Sequence, residues 1–413
     1  MLPALAELPL VDHHCHSLVS SWAESLPAES LPAESLPAES LPAAAAGRDG
    51  GAAGPAWRRC FTESADPVTL ARDVPDLLAY RHFLAALAGQ LGVDPAGGDP
   101  AGLEARVAAA RDRRARADPA GYLAGLLDHA GVAALLVDTG FGRAVLACGE
   151  LERAAGRPAL EVVRLESLAE LVLRDGGAGS LGGLVDAVEA RLRRALGGGA
   201  VAIKSIAAYR AGLALPPASP ARQRRAFAAL DRAAQARRFD DPVLLGVLVR
   251  LALRLGAELG VPLQFHTGFG DADLRLPAAD PALLAPLLRE DGSAGCPVVL
   301  LHCYPFVAQG AWLAGLYPQV HLDLSLALPL AEPLAARLLT EALALCPAGK
   351  LLAASDGHSY PEMHWWGAIV WRRALAEVLG AEVDAGRLGE RDAVELAGRI
   401  LGGNATALYG LPR

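Results

Sequence analysis

The segment Leu8-Pro9-Leu10-Val11-Asp12-His13-His14-Cys15-His16 places imidazole side chains directly after a short apolar run that is typical of a β-strand. Alternate residues of a strand share a face, so His14 and His16 would reach one point beyond the strand end, while His13 faces the opposite way. Two neutral imidazoles that converge on one point suit a divalent metal ion. The sequence therefore predicts a metal site at the end of its first strand.

The composition limits the classes of partner and location. The chain has 413 residues, of which 53% are hydrophobic, and a formal net charge of −8, so we expect no nucleic-acid partner. The uncharged stretch 296–320 is interrupted by three prolines, which favours a buried strand and a short helix over a membrane span. No basic region precedes the first apolar stretch, and six cysteines without CxxC pairs are expected to be reduced thiols. We therefore predict a cytoplasmic protein with no membrane partner.

Two insertions follow the first strand of a single domain that covers residues 1–413. Residues 24–43 repeat the pentapeptide Glu-Ser-Leu-Pro-Ala four times, and a proline in every five residues prevents a continuous helix. We predict a flexible low-complexity insertion over 22–56, with a mobile lid as the alternative. Residues 57–130 have helical spacing and predict a helical insertion subdomain, which could form the surface of a homo-oligomer.

From residue 131 onward, short apolar segments alternate with amphipathic helical segments. The predicted strands are 132–138, 160–165, 200–205, 262–266, 297–302, 320–324 and 350–355. With the first strand they make eight, and strands that alternate with helices form a parallel sheet. The predicted fold is therefore an α/β (β/α)₈ barrel of the TIM type.

Polar residues follow these strands at the end where barrel enzymes place their chemistry. They are His14 and His16 after strand one, Lys204 on strand four, His266 after strand five, His302 after strand six and Asp356 after strand eight. We predict one divalent ion held by four of them: His14, His16, His266 and Asp356. His302 could join these ligands or contact a small-molecule substrate.

Three further residues are predicted to bind substrate. Tyr209 and Arg210 come just after strand four, and a guanidinium pairs well with a carboxylate. A role for Arg210 on the solvated surface remains open. Glu166, at the end of strand three, is a candidate carboxylate of the pocket.

The ordered set of His14, His16, Lys204, His266, His302 and Asp356 resembles the amidohydrolase superfamily. The segments LQFHTG (263–268), LHCYP (301–305), ASD (354–356) and GNATALYG (403–410) are similar to its amidohydrolase-related branch. That branch includes the hydrolase-like domain that is fused to some glutamine synthetase-type proteins. The resemblance covers nearly all of the chain except residues 22–56.

This resemblance implies a metal-dependent hydrolase with one or two ions. In relatives with two ions the lysine of strand four is carboxylated and bridges them, and Lys204 occupies that place. We expect one ion, Zn²⁺ or Mn²⁺, with Lys204 unmodified and facing substrate; two ions remain the alternative. The ion would activate water, Asp356 would be the general base, and His302 or Lys204 would polarise the scissile carbonyl. The expected reaction is cleavage of the C–N bond of an amide or cyclic amide.

Two alternative functions remain open. Relatives in the same branch use a similar ion site for non-oxidative decarboxylation, which cleaves a C–C bond. The domain could also be a non-catalytic scaffold or binding module, although its intact ligand set argues against this. Release of CO₂ from acids would distinguish the first alternative, and metal binding without turnover would favour the second.

Overall fold

Eight parallel strands, in the order β1 to β8, form the central sheet of this protein. The computed structural model describes residues 3–24, 55–95, 100–142 and 144–412. The strands are β1 (Leu10–Cys15), β2 (Val132–Asp138), β3 (Ala159–Arg164), β4 (Ala202–Ser205), β5 (Leu263–Thr267), β6 (Val298–His302), β7 (Val320–Asp323) and β8 (Leu351–Leu352). Each strand pairs with the next along the chain, and the predicted (β/α)₈ barrel is confirmed.

Helices fill the connections between the strands. In chain order they are α1 (Leu78–Gln90), α2 (Pro100–Ala117), α3 (Pro119–His129), α4 (Cys148–Ala155), α5 (Leu165–Arg174), α6 (Leu181–Gly197), α7 (Ala207–Arg210), α8 (Pro220–Ala228), α9 (Arg232–Gln235), α10 (Pro242–Leu259), α11 (Ala285–Leu288), α12 (Val307–Leu316), α13 (Ala327–Leu330), α14 (Ala335–Leu343), α15 (Pro361–Asp384), α16 (Glu390–Gly398) and α17 (Asn404–Leu408). Among the described residues, no helix combines the length and the apolar character that crossing a bilayer would need.

The barrel closes between β8 and β1 through a few hydrogen bonds. The amide of Asp356 donates to the carbonyl of His14 at 3.1 Å, and the amide of His16 donates to the carbonyl of Gly357 at 2.8 Å. The amide of Ser355 donates to Oδ1 of Asp12 at 2.8 Å. Strand β8 is shorter than the predicted 350–355: it ends at Leu352, and the next amide, that of Ala353, donates to the carbonyl of Ile400 at 3.2 Å instead of to a strand.

The C-terminal helix closes the barrel at the N-terminal ends of its strands. Ala405 and Tyr409 pack inside the barrel against a cluster of strand residues: Val11, Ala134, Leu136, Val162, Ala202, Val299, Leu301 and Leu352. Nε2 of Gln264 donates a hydrogen bond to Oη of Tyr409 at 2.9 Å, and Nδ1 of His13 lies 3.1 Å from the same oxygen. Tyr409, which follows the last helix, thus contacts His13, the residue before His14, and Gln264, two residues before His266.

The described part of the insertion after β1 is mainly helical and is anchored to α15. Nε of Arg111 and Oη of Tyr122 each donate to Oε1 of Glu362 at 2.8 Å. Arg111 and Glu362 are fully buried, so each charge depends on the other for compensation. The low-complexity stretch that was predicted to be flexible falls mostly in 25–54, outside the described residues.

Two helical segments predicted as continuous are divided in the structure. The predicted segment 169–196 is split into α5 and α6, because Gly176 takes a φ of 69° between them. The predicted segment 221–260 forms α8, α9 and α10, and the side chains of Asp231 and Asp241 cap the later two helices. Apolar periodicity indicated helix but did not locate these breaks.

Replacing Tyr409 by Phe should destabilise the protein by about 1–2 kcal/mol, because Gln264 and His13 lose a buried hydrogen-bond partner. Urea denaturation measures the change. The control is Tyr317→Phe, which removes a hydrogen bond from Arg289 at the exposed surface and should cost about 0.5 kcal/mol or less. Equal losses in the two variants would contradict the supporting role of Tyr409.

His321 lies at the start of β7, and burial is the main reason why its pKa falls to about 4. An unfolded histidine titrates near about 6.5, so below that pH the unfolded chain takes up a proton that the folded chain refuses. Wild-type stability should therefore fall by about 1–3 kcal/mol more than that of His321→Gln between about pH 7 and pH 4. Denaturation curves at several pH values test this, and parallel pH dependences would refute it.

Candidate metal centre

A register irregularity in β1 brings neighbouring histidines into the barrel. Asp12 pairs with Leu135 and Cys15 with Val137, so β1 uses one more residue than β2 between these pairs. His13 reaches Asp323, with Nε2 3.4 Å from Oδ2. His14 reaches Lys204 on β4, with Nε2 3.2 Å from Nζ. His13 was predicted to face opposite to His14 and His16, and it contacts Asp323 and Tyr409 instead of Asp356. The bulge shows that β1 does not follow strict alternation over these residues.

His14, His16 and Asp356 form the candidate metal centre. Nε2 of His14 and Nε2 of His16 each lie 3.3 Å from Oδ1 of Asp356. Their donor atoms all lie within 4.8 Å of one another, and Oδ1 is buried without a hydrogen-bond partner among the described residues. Ligand atoms about 2.1 Å from a tetrahedral ion would be about 3.4 Å apart. The three residues therefore fit a divalent ion.

The local electrostatics keep these donors in the form that binds a metal. Burial is the main reason why the pKa of His14 is lowered to about 3, and the nearby Lys204 lowers it further. Burial alone would raise the pKa of Asp356, but the imidazoles of His302, His14 and His16 outweigh it and hold this pKa well below the ordinary value. At neutral pH the centre thus combines a neutral imidazole with a carboxylate.

His16 is oriented by a residue that the sequence analysis missed. Nδ1 of His16 lies 3.3 Å from the carbonyl oxygen of Asp138, which leaves Nε2 directed at Asp356. The Asp138 carboxylate is in turn paired with Arg164. Asp138 ends β2, so the criterion of a polar residue at a strand end could have identified it.

His266 lies beside the group of three rather than within it. Its Nε2 is 3.2 Å from the carbonyl oxygen of Phe269, so this nitrogen carries the proton and Nδ1 keeps the lone pair. The ring centroid is 4.6 Å from that of His302 and 4.5 Å from that of Tyr209. The structure thus brings three of the four predicted ligands close together. His266 lies beside them, and its Nδ1 could serve as a further metal ligand.

His302 and Lys204 also face the centre. Nδ1 of His302 lies 3.1 Å from the carbonyl oxygen of Ser325, and the backbone at His302 has a φ of 68°, which is rare outside glycine. Lys204 is buried, and this burial is the main reason why its pKa falls to about 8. Most Lys204 side chains therefore still carry a proton at neutral pH.

One cavity of about 580 Å³ opens onto these residues. Its walls include His16, Lys204, His266, His302 and Asp356 from the barrel. The helical insertion adds Cys60 and Glu63, and the pKa of Glu63 is raised to about 7, mainly by burial and then by the charge of Asp356. No pattern in the sequence indicated these insertion residues, because they meet the barrel only through the fold.

The three predicted substrate-binding residues occupy different positions. Tyr209 and Arg210 line the cavity, and Nη2 of Arg210 pairs with Oε1 of Glu170 at 3.2 Å. Glu166 is fully buried and is not among the described residues that line the cavity. Its Oε1 accepts hydrogen bonds from Oγ of Ser205 at 2.7 Å and from the amide of Ile206 at 3.1 Å.

The position of Glu166 follows from the chain path. Helix α5 begins at Leu165, immediately after β3, so Glu166 lies in the first helical turn and points at the end of β4. Its role in this structure is to hold the turn that leads from Ser205 toward Tyr209 and Arg210. The contacts of Glu166 are internal, and they support the turn that precedes Tyr209 and Arg210, which line the cavity.

We compared the chain with known proteins and solved structures. No family model matches the chain. The fluG protein of Emericella nidulans is 34% identical over 223 residues, which are 51% of this chain and 26% of that protein. The chain thus matches about a quarter of the length of this curated relative.

Solved structures resemble the chain over nearly its whole length. A proposed metal-dependent hydrolase from Lactobacillus casei ATCC 334 is 26% identical, with a TM-score of 0.81 over 98% of this chain and 96% of that chain. Uronate isomerase from Thermotoga maritima is 14% identical, with a TM-score of 0.68 over 99% and 96% of the two chains. The second likeness concerns the fold alone.

We expect the purified protein to bind a divalent ion, and His16→Ala to weaken its affinity for Zn²⁺ by more than about 100-fold, because loss of a ligand exceeds the usual effect of a supporting residue. Competition with a chelating dye measures the affinity, and elemental analysis gives the number of ions per chain. His82→Ala is the control, since His82 pairs with Glu332 on the exposed part of α1. Unchanged affinity in His16→Ala would refute the centre.

Proposed function

We propose, from the confirmed resemblance to the amidohydrolase superfamily, that this chain is a metal-dependent hydrolase that cleaves the C–N bond of a small amide or cyclic amide. The observation that carries the proposal is the approach of two imidazole nitrogens to one carboxylate oxygen, 3.3 Å each, beside a cavity of about 580 Å³. A cavity of this size accommodates a small molecule.

His14, His16 and Asp356 would hold one divalent ion, Zn²⁺ or Mn²⁺, and Nδ1 of His266 is the nearby further donor. When bound, the ion would supply Lewis acidity and lower the pKa of a bound water from about 16 toward about 7. A second ion held through a carboxylated Lys204 remains the alternative arrangement. The donors favour Zn²⁺ chemistry because they are mainly imidazoles.

Asp356 is the proposed general base. Its low pKa keeps it ionised at neutral pH, so it can accept a proton from the attacking water and pass that proton to the leaving nitrogen. The water oxygen forms a bond to the carbonyl carbon, and the C–N bond breaks with its electron pair on nitrogen. The products are a carboxylic acid and an amine.

Lys204 is a better donor to the scissile carbonyl than His302. Nδ1 of His302 lies 3.1 Å from the Ser325 carbonyl and must donate to it, so the other nitrogen of the neutral ring carries no proton. The pKa of His302 is lowered, mainly by burial, which favours this neutral form. Lys204 lines the cavity, and with a pKa of about 8 it keeps a proton to donate at neutral pH.

The substrate contacts, the cellular location, the class of substrate and the oligomeric state remain predictions. Tyr209 and Arg210 remain our proposed substrate contacts at the cavity wall, while we no longer propose Glu166 for that role. We also keep a cytoplasmic location, a small molecule as the only class of substrate, and a homo-oligomer formed through the helical insertion.

Asp356→Asn should lower kcat on an amide substrate by about 10²–10⁴-fold, because the amide side chain cannot accept the proton. The substrate would be found by screening amides and cyclic amides for amine release with the metal-loaded protein. Asp175→Asn is the matched control, since Asp175 pairs with Arg191 at the surface, and its kcat should not change. Turnover that survives in Asp356→Asn would rule out this mechanism.

Metal content must be measured in the same samples, because Asp356 is also a proposed ligand. Lys204→Met supplies a variant outside the ligand set, and it should lower kcat by about 10²–10³-fold while the ion stays bound. A parallel screen of aromatic and unsaturated acids for CO₂ release covers the decarboxylase alternative. Acid turnover without any amide turnover would overturn the C–N assignment.

A further inference from the structure

Four arginines line one wall of the cavity that opens onto the candidate metal centre. They come from the end of α5, the end of α7 and the segment after α9: Arg174, Arg210, Arg237 and Arg238. We call this set the arginine wall. Its members are brought together by the packing of α5 against α9.

Carboxylates pair with only part of the arginine wall. Glu170 accepts from Arg210 at 3.2 Å and also from the amide of Phe239 at 3.0 Å. Asp273 pairs with Arg238 at 3.2 Å, and Asp240 lies 3.6 Å from the same guanidinium group.

The other two members have no such partner in the described parts of the chain. Arg174 donates to the carbonyl of Ala236 at 3.4 Å, a long contact with a neutral group. Neither Arg174 nor Arg237 has a carboxylate within ion-pair distance among the described residues. Both of these side chains are exposed. Among the described residues, three carboxylates, Glu170, Asp240 and Asp273, therefore face four guanidinium groups, and one positive charge is in excess on this wall.

Arg210 is a mostly buried member of the arginine wall. Its pKa is lowered, mainly by burial and further by repulsion from Arg238 and Arg164, against the attraction of Glu170. Its Nε is buried without a hydrogen-bond partner among the described residues. A buried donor without an acceptor is unfavourable, and an anion at this wall would supply both the acceptor and the missing charge.

The other acidic residues that line the cavity are Glu63, Asp271 and Asp356, and three further basic residues, Arg59, Arg164 and Lys204, offset them in number. Glu63 lines the cavity, and its pKa is raised to about 7 by burial and by the charges of Asp356 and Asp271. A substantial part of Glu63 is therefore protonated at neutral pH. The acidic and basic side chains thus leave a net cationic wall facing the substrate space.

We propose that the substrate carries an anionic oxygen group, a carboxylate or a phosphate, apart from its scissile amide, and that Arg174 and Arg237 bind this group with support from Arg210 and Arg238. This deepens the proposed function and rests on it, since it names the class of substrate of the same cavity. Guanidinium groups match both anions through paired N–H donors. The arginine wall would then orient the amide toward Asp356.

The test compares glutaramate with pentanamide, which differ by a terminal carboxylate in place of a methyl group. Titration calorimetry on the metal-loaded protein should show at least about tenfold tighter binding of glutaramate, and high salt should reduce that ratio. The Arg174→Gln, Arg237→Gln double variant should bring the ratio close to one. Arg387→Gln, which removes an exposed pair with Glu382, should leave it unchanged.

The phosphonate analogue of glutaramate, titrated in the same way, shows which anion the arginine wall prefers, and binding of either in an arginine-dependent way supports the proposal. Equal binding of the charged and neutral amides, or no binding of either, overturns it. A ratio that survives in the double variant also overturns it.

His16→Ala separates this proposal from the proposed function. If the ratio disappears in His16→Ala but not in the double variant, the carboxylate binds at the metal centre; the inference is then wrong although the hydrolase stands. If the ratio depends on the arginines but the protein cleaves no amide, the arginine wall binds the anion and the proposed hydrolase function is wrong.

Discussion

The hydrogen bonds between the end of β8 and the end of β1 are the constraint on which the candidate site depends. The amide of Asp356 donates to the His14 carbonyl at 3.1 Å, and the amide of Ser355 donates to Asp12 at 2.8 Å. These bonds close the barrel between residues more than three hundred positions apart in the chain. The same bonds set the carboxylate of Asp356 beside the two imidazoles, so the contacts that close the barrel also assemble the centre.

Burial then determines the chemical state of each group. Removal from water disfavours charge on His14 and Lys204 and lowers the pKa of both. Asp356 keeps its charge because several imidazoles surround it. The result is a set of neutral imidazoles close to one anionic oxygen. This combination of donors is the physical reason why the site suits a metal ion.

The strands and the polar residues at their ends could be predicted because each leaves a local pattern. A short apolar run that ends in His266, His302 or Asp356 is visible without any knowledge of the fold. The bulge in β1 was not predictable, since it depends on how Asp12 and Cys15 pair with another strand. Glu166 was assigned to the pocket because the sequence shows only that it follows β3. The direction of its side chain toward Ser205 is set by α5, which the local pattern does not reveal.

The order of strands, the pairing of each with the next and the identity of the polar residues at their ends were determined by the sequence, because alternation and helix periodicity are properties of neighbouring residues. The tertiary structure decided which nitrogen of His16 faces Asp356, that Glu63 of the insertion shares the cavity, and that arginines from α5 and from the segment after α9 form one wall. These contacts join residues distant in the chain, and their distances follow from packing, which no local pattern encodes.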